Sequence, residues 1–270
     1  MQVRILRPPF ELPDSLKKLA TDLATYFDTL PPEKQRQLRE ATRELNDIAL
    51  HYAVDLFIAS RRASPVQGPL NHATGVLLAL GGKTLLATAW HVLAKFRDRV
   101  AQGNTAMFQV MKAVIPDPLG RVYWRDEVKD LVLLEITREE YARVGTWIYQ
   151  PRPPWPPPLP PVDSFVITAG FPVEGRTTDS EKRAVELKAL QSMLIVAGTG
   201  EDHFFCPIER DLWYDVSGVG MLPANADLGG MSGAPVFGVQ QLQYPLIGIV
   251  TEYSPGLELF RVQGLAGLPV

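Results

Sequence analysis

The stretch Asp227-Leu-Gly-Gly-Met-Ser-Gly-Ala-Pro-Val-Phe-Gly238 places one serine, Ser232, in a run of glycines that leads into an apolar segment. Glycines on both sides of a serine allow a sharp turn that exposes the hydroxyl. They also leave backbone N–H groups free to donate to a ligand oxygen. A nucleophilic serine needs both features, because an oxyanion forms when it attacks a carbonyl. The same pattern is also typical of ordinary turns, so other stretches must decide between the two interpretations.

Two upstream stretches carry the other groups that such a serine needs. In one, a predicted strand leads through small residues into His91, and imidazole is the side chain suited to accept a serine proton at neutral pH. In the other, Asp130 precedes the apolar run Leu131–Leu134, so its carboxylate is expected to be partly buried and to need a partner. Asp126 is the nearest alternative carboxylate, but it heads no apolar run.

The order His91, Asp130, Ser232, with these flanks, resembles the chymotrypsin/trypsin-like serine protease family. Thr88-Ala89-Trp90-His91 is similar to the family's Thr-Ala-Ala-His, and Asp130-Leu-Val-Leu-Leu134 is similar to its Asp-Ile-Ala-Leu-Leu. Gly230-Met-Ser-Gly-Ala-Pro235 is similar to its Gly-Asp-Ser-Gly-Gly-Pro, and Gly248-Ile-Val-Thr251 to its Gly-Ile-Val-Ser strand. The resemblance covers residues 53 to 262.

The resemblance implies a role for each matched residue. Ser232 would be the nucleophile, His91 the general base and then acid, and Asp130 the carboxylate that orients the imidazole. The backbone N–H groups of Gly230 and Ser232 would form the oxyanion hole.

The resemblance also implies a substrate-binding set downstream. Thr251 would donate a hydrogen bond to the Asp130 carboxylate and lie along the substrate strand. Tyr253 would lie at the rim of the side-chain pocket, with Ala226 or Asp227 near its base. Because Ala226 carries no charge, a preference for Lys or Arg substrates would depend on Asp227.

One departure bears on regulation. Met231 stands where secreted members have an aspartate that pairs with a new N-terminus after zymogen cleavage, so we expect that activation route to be absent. Bacterial HtrA-like and viral members also lack this aspartate. The sequence therefore resembles most an intracellular bacterial, HtrA-like type of peptidase domain, and no PDZ-like domain is expected after it.

The expected fold class is mainly β, with two six-stranded β-barrels of chymotrypsin type preceded by an N-terminal α-helical hairpin. We place the helical extension at residues 1–52, the first barrel at 53–150, a proline-rich connector at 151–162 and the second barrel at 163–270. Apolar residues at spacings of three and four predict helices between residues 14 and 52. Prolines exclude helix and central strand from the connector, which could also be a ligand for a proline-recognising domain.

Short runs rich in Val, Ile, Leu and Thr, broken by Gly, Pro and Asn, predict twelve strands, six in each half. A short helix is predicted at Val92–Val100. The predicted strands are Val54–Ser60, Ala73–Leu80, Thr84–Thr88, Thr105–Val114, Arg121–Trp124, Leu131–Ile136, Ser164–Thr168, Ala184–Ala197, His203–Tyr214, Ala234–Val239, Pro245–Tyr253 and Leu257–Val262.

Composition limits the function classes. The single cysteine, Cys206, allows no disulfide within the chain and favours a reducing compartment, so we expect a cytoplasmic protein. The net charge of -3 does not indicate a nucleic-acid surface, and the lack of a long apolar run indicates no membrane span. The N-terminal sequence lacks the apolar core of a signal peptide. No cluster of His, Cys and carboxylates has metal-ligand spacing, and no cofactor is expected.

The sequence thus predicts a serine endopeptidase that cleaves protein or peptide substrates through an acyl-enzyme. A regulatory protein partner, acting through the N-terminal helices, is a further expectation. The alternative is a catalytically silent module of protease fold that binds peptides or partners without cleaving them.

Overall fold

The computed structural model describes residue 29 and residues 31–60, 71–103, 105–179, 184–208, 226–239 and 244–269. Three α-helices occur in these ranges: α1 (Pro32–Tyr52), α2 (Trp90–Ala101) and α3 (Arg138–Val144). The first helix of the predicted hairpin lies outside the described residues. None of the described helices is both long enough and apolar enough to cross a membrane.

The first half of the described chain contains seven strands. They are β1 (Ala53–Ser60), β2 (Asn71–Leu80), β3 (Lys83–Ala89), β4 (Ala106–Val110), β5 (Ala113–Ile115), β6 (Val122–Asp126) and β7 (Leu131–Ile136). They form one antiparallel sheet in the order β5-β4-β1-β2-β3-β7-β6.

The second half of the described chain contains nine strands, seven of them in one antiparallel sheet. They are β8 (Phe165–Gly170), β9 (Arg176–Asp179), β10 (Ala184–Leu187), β11 (Leu190–Ile195), β12 (Gly198–Thr199), β13 (His203–Pro207), β14 (Pro235–Gly238), β15 (Leu246–Ser254) and β16 (Leu259–Gly264). The sheet has the order β11-β8-β14-β15-β16-β13-β12, and β9 and β10 form a separate two-stranded ribbon.

This architecture confirms the predicted mainly β class and is consistent with a chymotrypsin-like double barrel. The predicted strand count was wrong, since each of the two large sheets has seven strands rather than six among the described residues. The predicted strand Thr105–Val114 is broken by a turn at Met111, which has a φ of 50°, so it forms the hairpin of β4 and β5. The predicted strand Ala184–Ala197 divides into β10 and β11, and β12 adds a two-residue strand.

Consecutive buried residues in the central strands show that these strands are packed on both faces. β7 is buried at every position except Glu135, and β2 is buried over six consecutive residues. Helix α1 packs against β8, β11 and β14, and its Ala49 is fully buried. In the connector, Trp155 and Leu159 pack against the buried apolar clusters. The domain boundaries stay a prediction.

One strand residue links stability to pH. Burial raises the pKa of the half-buried Asp55 carboxyl from its ordinary value of 3.8 to about 6. The folded protein therefore holds this proton more tightly than the unfolded chain, so ionisation of Asp55 destabilises the fold above pH 6 and costs nothing below pH 3.8.

We expect Asp55→Asn to raise the free energy of unfolding by about 2 kcal/mol at pH 8. The gain should shrink as the pH falls through 6 toward 4, because the wild-type carboxyl then becomes neutral. Urea unfolding at pH 8 and pH 4 measures both values. Glu201→Gln, at an exposed carboxylate, is the matched control and should change stability by less than about 0.5 kcal/mol at either pH. An equal gain for Asp55→Asn at both pH values would contradict the argument.

Candidate active site

The pairing of two strands brings His91 and Asp130 together. In the register of β3 with β7, Ala89 lies opposite Leu131, so the residues just beyond these two ends are neighbours. The Nδ1 atom of His91 lies 2.7 Å from Oδ2 of Asp130, and the backbone N–H of His91 donates to Oδ1 at 2.8 Å. The backbone N–H of Trp90 donates to the Asp130 carbonyl at 3.0 Å.

The Asp130 carboxylate therefore performs two tasks. It caps the start of α2 by accepting the His91 N–H, since Ala89 offers no capping side chain. The positive end of the helix dipole at this position also stabilises its negative charge. The carboxylate also accepts a hydrogen bond from Nδ1–H of His91, which leaves Nε2 with a lone pair that can accept a proton. The imidazole is 35% exposed and the carboxylate 24%, so the pair is open to a substrate on one side.

The competing carboxylate, Asp126, has a different task. Its Oδ1 accepts the backbone N–H groups of Val128 and Lys129, each at 3.0 Å. These bonds shape the turn that leads into Asp130, whose φ of 55° lies in the left-handed region that Asp and Asn tolerate better than most residues. Asp126 thus shapes the loop that presents Asp130.

Ser232 lies in the loop before β14 and lines the same cleft as His91, Asp130 and Gly230. Its carbonyl accepts a hydrogen bond from the backbone N–H of Thr74 in β2 at 2.9 Å, which joins this loop to the first sheet. Within the described residues, the Ser232 hydroxyl makes no hydrogen bond with His91.

The backbone N–H groups of the Ser232 loop differ in whether they donate a hydrogen bond to a described residue. The N–H groups of Gly229, Met231, Gly233 and Ala234 donate to Asp227, Leu228, Val250 and Met231 respectively. By contrast, those of Gly230 and Ser232 have no acceptor among the described residues. The sequence predicted an oxyanion hole from these same two donors.

The peptide between Gly229 and Gly230 is held in one orientation. Val173 N–H donates to the Gly229 carbonyl at 2.6 Å. Because the carbonyl and N–H of a trans peptide point in opposite directions, the Gly230 N–H points away from Val173. Gly230 itself lines the cleft, and its φ of 91° is one that glycine adopts without strain.

Thr74, which the sequence analysis did not identify, fixes the carbonyl side of this loop. The fully buried Thr74 hydroxyl donates to the Gly230 carbonyl at 2.8 Å and accepts the Phe171 N–H at 3.0 Å. A threonine in an apolar strand carries no sequence signal for such a role, because both partners are about a hundred residues or more away.

His72 lies just before the predicted strand Ala73–Leu80, but the observed strand includes it. It lies in β2 and lines the cleft beside Gly230, and its Nε2 atom is 2.9 Å from the Phe171 carbonyl. The strand begins two residues earlier than the apolar pattern indicated, because Asn71 and His72 continue the pairing with β1.

The expected role of Thr251 toward Asp130 is not what the structure shows. Thr251 lines the cleft, but its hydroxyl donates to the Arg261 carbonyl at 3.4 Å and not to the Asp130 carboxylate. The reason is a register shift in the pairing of β15 with β16 between Val250 and Glu252, which removes Thr251 from the regular ladder.

The other two substrate-binding residues have different outcomes. Tyr253 lines the cleft, and its hydroxyl lies 3.2 Å from Glu258. Ala226 does not line the described cleft, since it is only 1% exposed and packs in the apolar core of the second half. Asp227 is exposed, but its carboxylate accepts the Gly229 N–H at 2.8 Å and so shapes the serine loop.

Met231 is fully buried and packs against Gly170, where a Cβ atom would come within 2.8 Å of its sulfur. Apolar burial therefore holds the serine loop at the position where the resemblance would place an ion pair. No group of three or more His, Cys, Asp or Glu side chains within the described ranges is placed to hold a metal ion.

Thr74→Val keeps the shape of the side chain and removes its hydroxyl, so we expect two effects. Stability should fall by about 2 kcal/mol, because the Gly230 carbonyl and the Phe171 N–H lose a partner. The kcat of the activity proposed below should fall about tenfold or more with little change in KM, because the loop that carries the Gly230 and Ser232 N–H groups loses a hydrogen bond that positions it.

Thr168→Val is the matched control for this change. Thr168 is also fully buried, and its hydroxyl donates to the Pro235 carbonyl at 2.8 Å. The Thr168→Val variant should lose about as much stability as Thr74→Val but retain the wild-type kcat. Equal losses of kcat in both variants would show that Thr74 acts only through stability. Thr74→Ser should restore most of the lost kcat.

No family model and no curated protein matches the sequence. Solved structures that are similar include a thermostable serine protease, AL20, from an extremophilic microorganism, with 13% identity over 79% of this chain and 90% of that chain and a TM-score of 0.43. Protease Anisep from Arthrobacter nicotinovorans has 12% identity over 79% and 90% of the two chains, with a TM-score of 0.42.

A third similar chain comes from a structure concerning aromatic interactions that drive the coupled folding and binding of the intrinsically disordered Sesbania mosaic virus VPg protein. It has 12% identity over 80% of this chain and 86% of that chain, with a TM-score of 0.43. Of these three similar structures, one is named a serine protease and another a protease.

Proposed function

We propose that the protein is a serine endopeptidase that hydrolyses peptide bonds, with Ser232, His91 and Asp130 as its catalytic triad. The observation that carries this proposal is the pattern of donors around Ser232. In the loop from Gly229 to Ala234, only the N–H groups of Gly230 and Ser232 lack acceptors in the described part of the chain, and the His91–Asp130 pair lines the same cleft.

In the proposed reaction, the Ser232 Oγ attacks the substrate carbonyl carbon while its proton passes to Nε2 of His91. The N–H groups of Gly230 and Ser232 donate to the oxyanion that forms. The imidazolium, stabilised by Asp130, then gives its proton to the leaving amine as the carbon–nitrogen bond breaks. Water, deprotonated by His91, cleaves the resulting ester and restores the free serine.

The alternative is a catalytically silent module that binds peptides or partners in the same cleft. The missing hydrogen bond between the Ser232 hydroxyl and His91 favours this alternative, although such bonds are often long before substrate binds. Regulation by a protein partner through the N-terminal helices, and a cytoplasmic location, are parts of the proposal that rest on the sequence alone.

Digestion of a mixed peptide library tests the proposal, with new N-termini identified by mass spectrometry. We expect defined cleavage sites with the wild-type protein and none with Ser232→Ala. Ser192→Ala removes a hydroxyl in β11 and is the matched control, which should cleave as the wild type does. Binding of library peptides without any new N-terminus would favour the silent module.

A further inference from the structure

The cleft around Ser232 and His91 has two halves that differ in charge. The first, which we call the β15 half, is lined by Asp130, Thr251, Glu252, Tyr253 and Arg261 and so carries both signs. The second, which we call the helix half, lies beside α2 and Gly230. Its further lining residues are Leu56, Ile58, Asn71, His72, Ala73, Val92 and Lys95, and no acidic side chain is among these described residues.

Lys95 is placed to bind an anion in the helix half. It follows His91 by one helical turn, and residues four apart lie on the same helix face. Its side chain is exposed, and it makes no ion pair or hydrogen bond with any residue that the structure describes. An ammonium group therefore lines the cleft that holds Ser232, and no carboxylate of the described residues pairs with it.

The surroundings of Lys95 add to this preference for a negative charge. One turn further along α2, Arg99 places its Nη1 atom 3.4 Å from the carbonyl of Ile58, which itself lines the helix half. The apolar walls from Leu56, Ile58 and Val92 are buried and offer no charged group that would compete for Lys95. A carboxylate entering here would meet the Lys95 ammonium and no acidic side chain of the described cleft lining.

We propose that the helix half binds an acidic side chain of the substrate, with Lys95 as the residue that determines this specificity. The inference rests on the endopeptidase function proposed above. We place the acyl side of the substrate in the β15 half, which Thr251 and Tyr253 line, so the helix half receives the residues that follow the scissile bond. The preferred substrates are then peptides with Glu or Asp in the first or second position after that bond.

Matched quenched-fluorescence peptides test this specificity. They share one acyl side, taken from a cleavage site found in the library, and carry Glu, Gln or Lys at the first or the second position after the scissile bond. We expect kcat/KM for the wild type to be about five- to tenfold higher with Glu than with Lys at one of these positions, as for a partly exposed charge pair that is replaced by a repulsive one.

Lys95→Glu should reverse this order within the same peptide set. Lys112→Glu makes the same change of charge at an exposed position in the turn between β4 and β5, and it should keep the wild-type order. The ratio between two peptides within one variant is independent of the amount of active protein. Equal rates with Glu and Lys in the wild type, or an unchanged order in Lys95→Glu, would overturn the inference.

A binding measurement separates failure of this inference from failure of the proposed function. If the library yields no cleavage site, the endopeptidase proposal fails, and dye-labelled peptides of one fixed sequence that carry Glu, Gln or Lys at a single position are titrated against the protein by fluorescence anisotropy. Tighter binding of the Glu peptide than of the Lys peptide, reversed in Lys95→Glu, would still support an acid-binding helix half. Equal affinities would overturn it.

Discussion

Ser232→Ala is expected to lower kcat for peptide hydrolysis by about 10⁶-fold, and His91→Ala by a similar factor. The hydroxyl is the only group in the proposed mechanism that forms a covalent bond to the substrate. It is a poor nucleophile until a base removes its proton. Because the two side chains act in one step, the double variant should be no slower than either single variant. Single-turnover hydrolysis of one peptide from the library gives all three rates.

Ser192→Ala is again the control, since it removes a hydroxyl in β11 and should leave the rate unchanged. Circular dichroism and thermal unfolding of each variant confirm that the fold is intact. Two results would contradict the assignment: a Ser232→Ala protein that keeps a substantial part of the wild-type rate, or losses in the double variant that multiply as for independent sites.

Gly233→Ala is expected to destabilise the protein by about 3 kcal/mol or more and to abolish hydrolysis. Gly233 has a φ of 92°, and a Cβ atom there would lie 1.8 Å from the Thr74 carbonyl oxygen and 2.3 Å from the Thr88 hydroxyl. The Thr74 carbonyl belongs to β2, so the clash cannot be relieved by rotating a side chain. The serine loop would have to move away from the first sheet, which would break the hydrogen bond from Thr74 N–H to the Ser232 carbonyl.

Gly82→Ala separates backbone strain from this clash. Gly82 has a φ of 73° in the turn between β2 and β3, and nothing lies within 4 Å of a Cβ atom there. It should cost about 1 kcal/mol and leave hydrolysis intact. Thermal and urea unfolding of both variants, with hydrolysis measured below their transitions, gives the comparison. Equal destabilisation by the two changes would show that the close approach of Gly233 to β2 is unimportant.

The part of the site that the sequence predicts best is the contact between His91 and Asp130. Both residues lie at the ends of apolar segments, and two paired strands that end together bring their flanking residues together. The free N–H groups of Gly230 and Ser232 follow in the same way from local glycine chemistry. These features depend on short stretches of chain, so they can be recognised in one sequence.

The features that the sequence did not predict depend on contacts between distant segments. Thr74 holds the Gly230 carbonyl only because β2 packs against the serine loop. The Thr251 hydroxyl donates to the Arg261 carbonyl because the strand pairing shifts register at this point. No residue type in that strand indicates where the shift occurs. The split of β4 from β5 occurs at Met111, which adopts a positive φ without being glycine or asparagine, so the usual turn signal is missing.

Labelling with a fluorophosphonate probe tests the central claim most directly, because such probes react with a serine that a base and an oxyanion hole activate together. We expect one probe molecule to attach to the wild-type protein at Ser232, as located by peptide mass spectrometry. Ser232→Ala and His91→Ala should remain unlabelled. A folded wild-type protein that takes up no probe, or one that is labelled at another residue, would contradict the proposed triad.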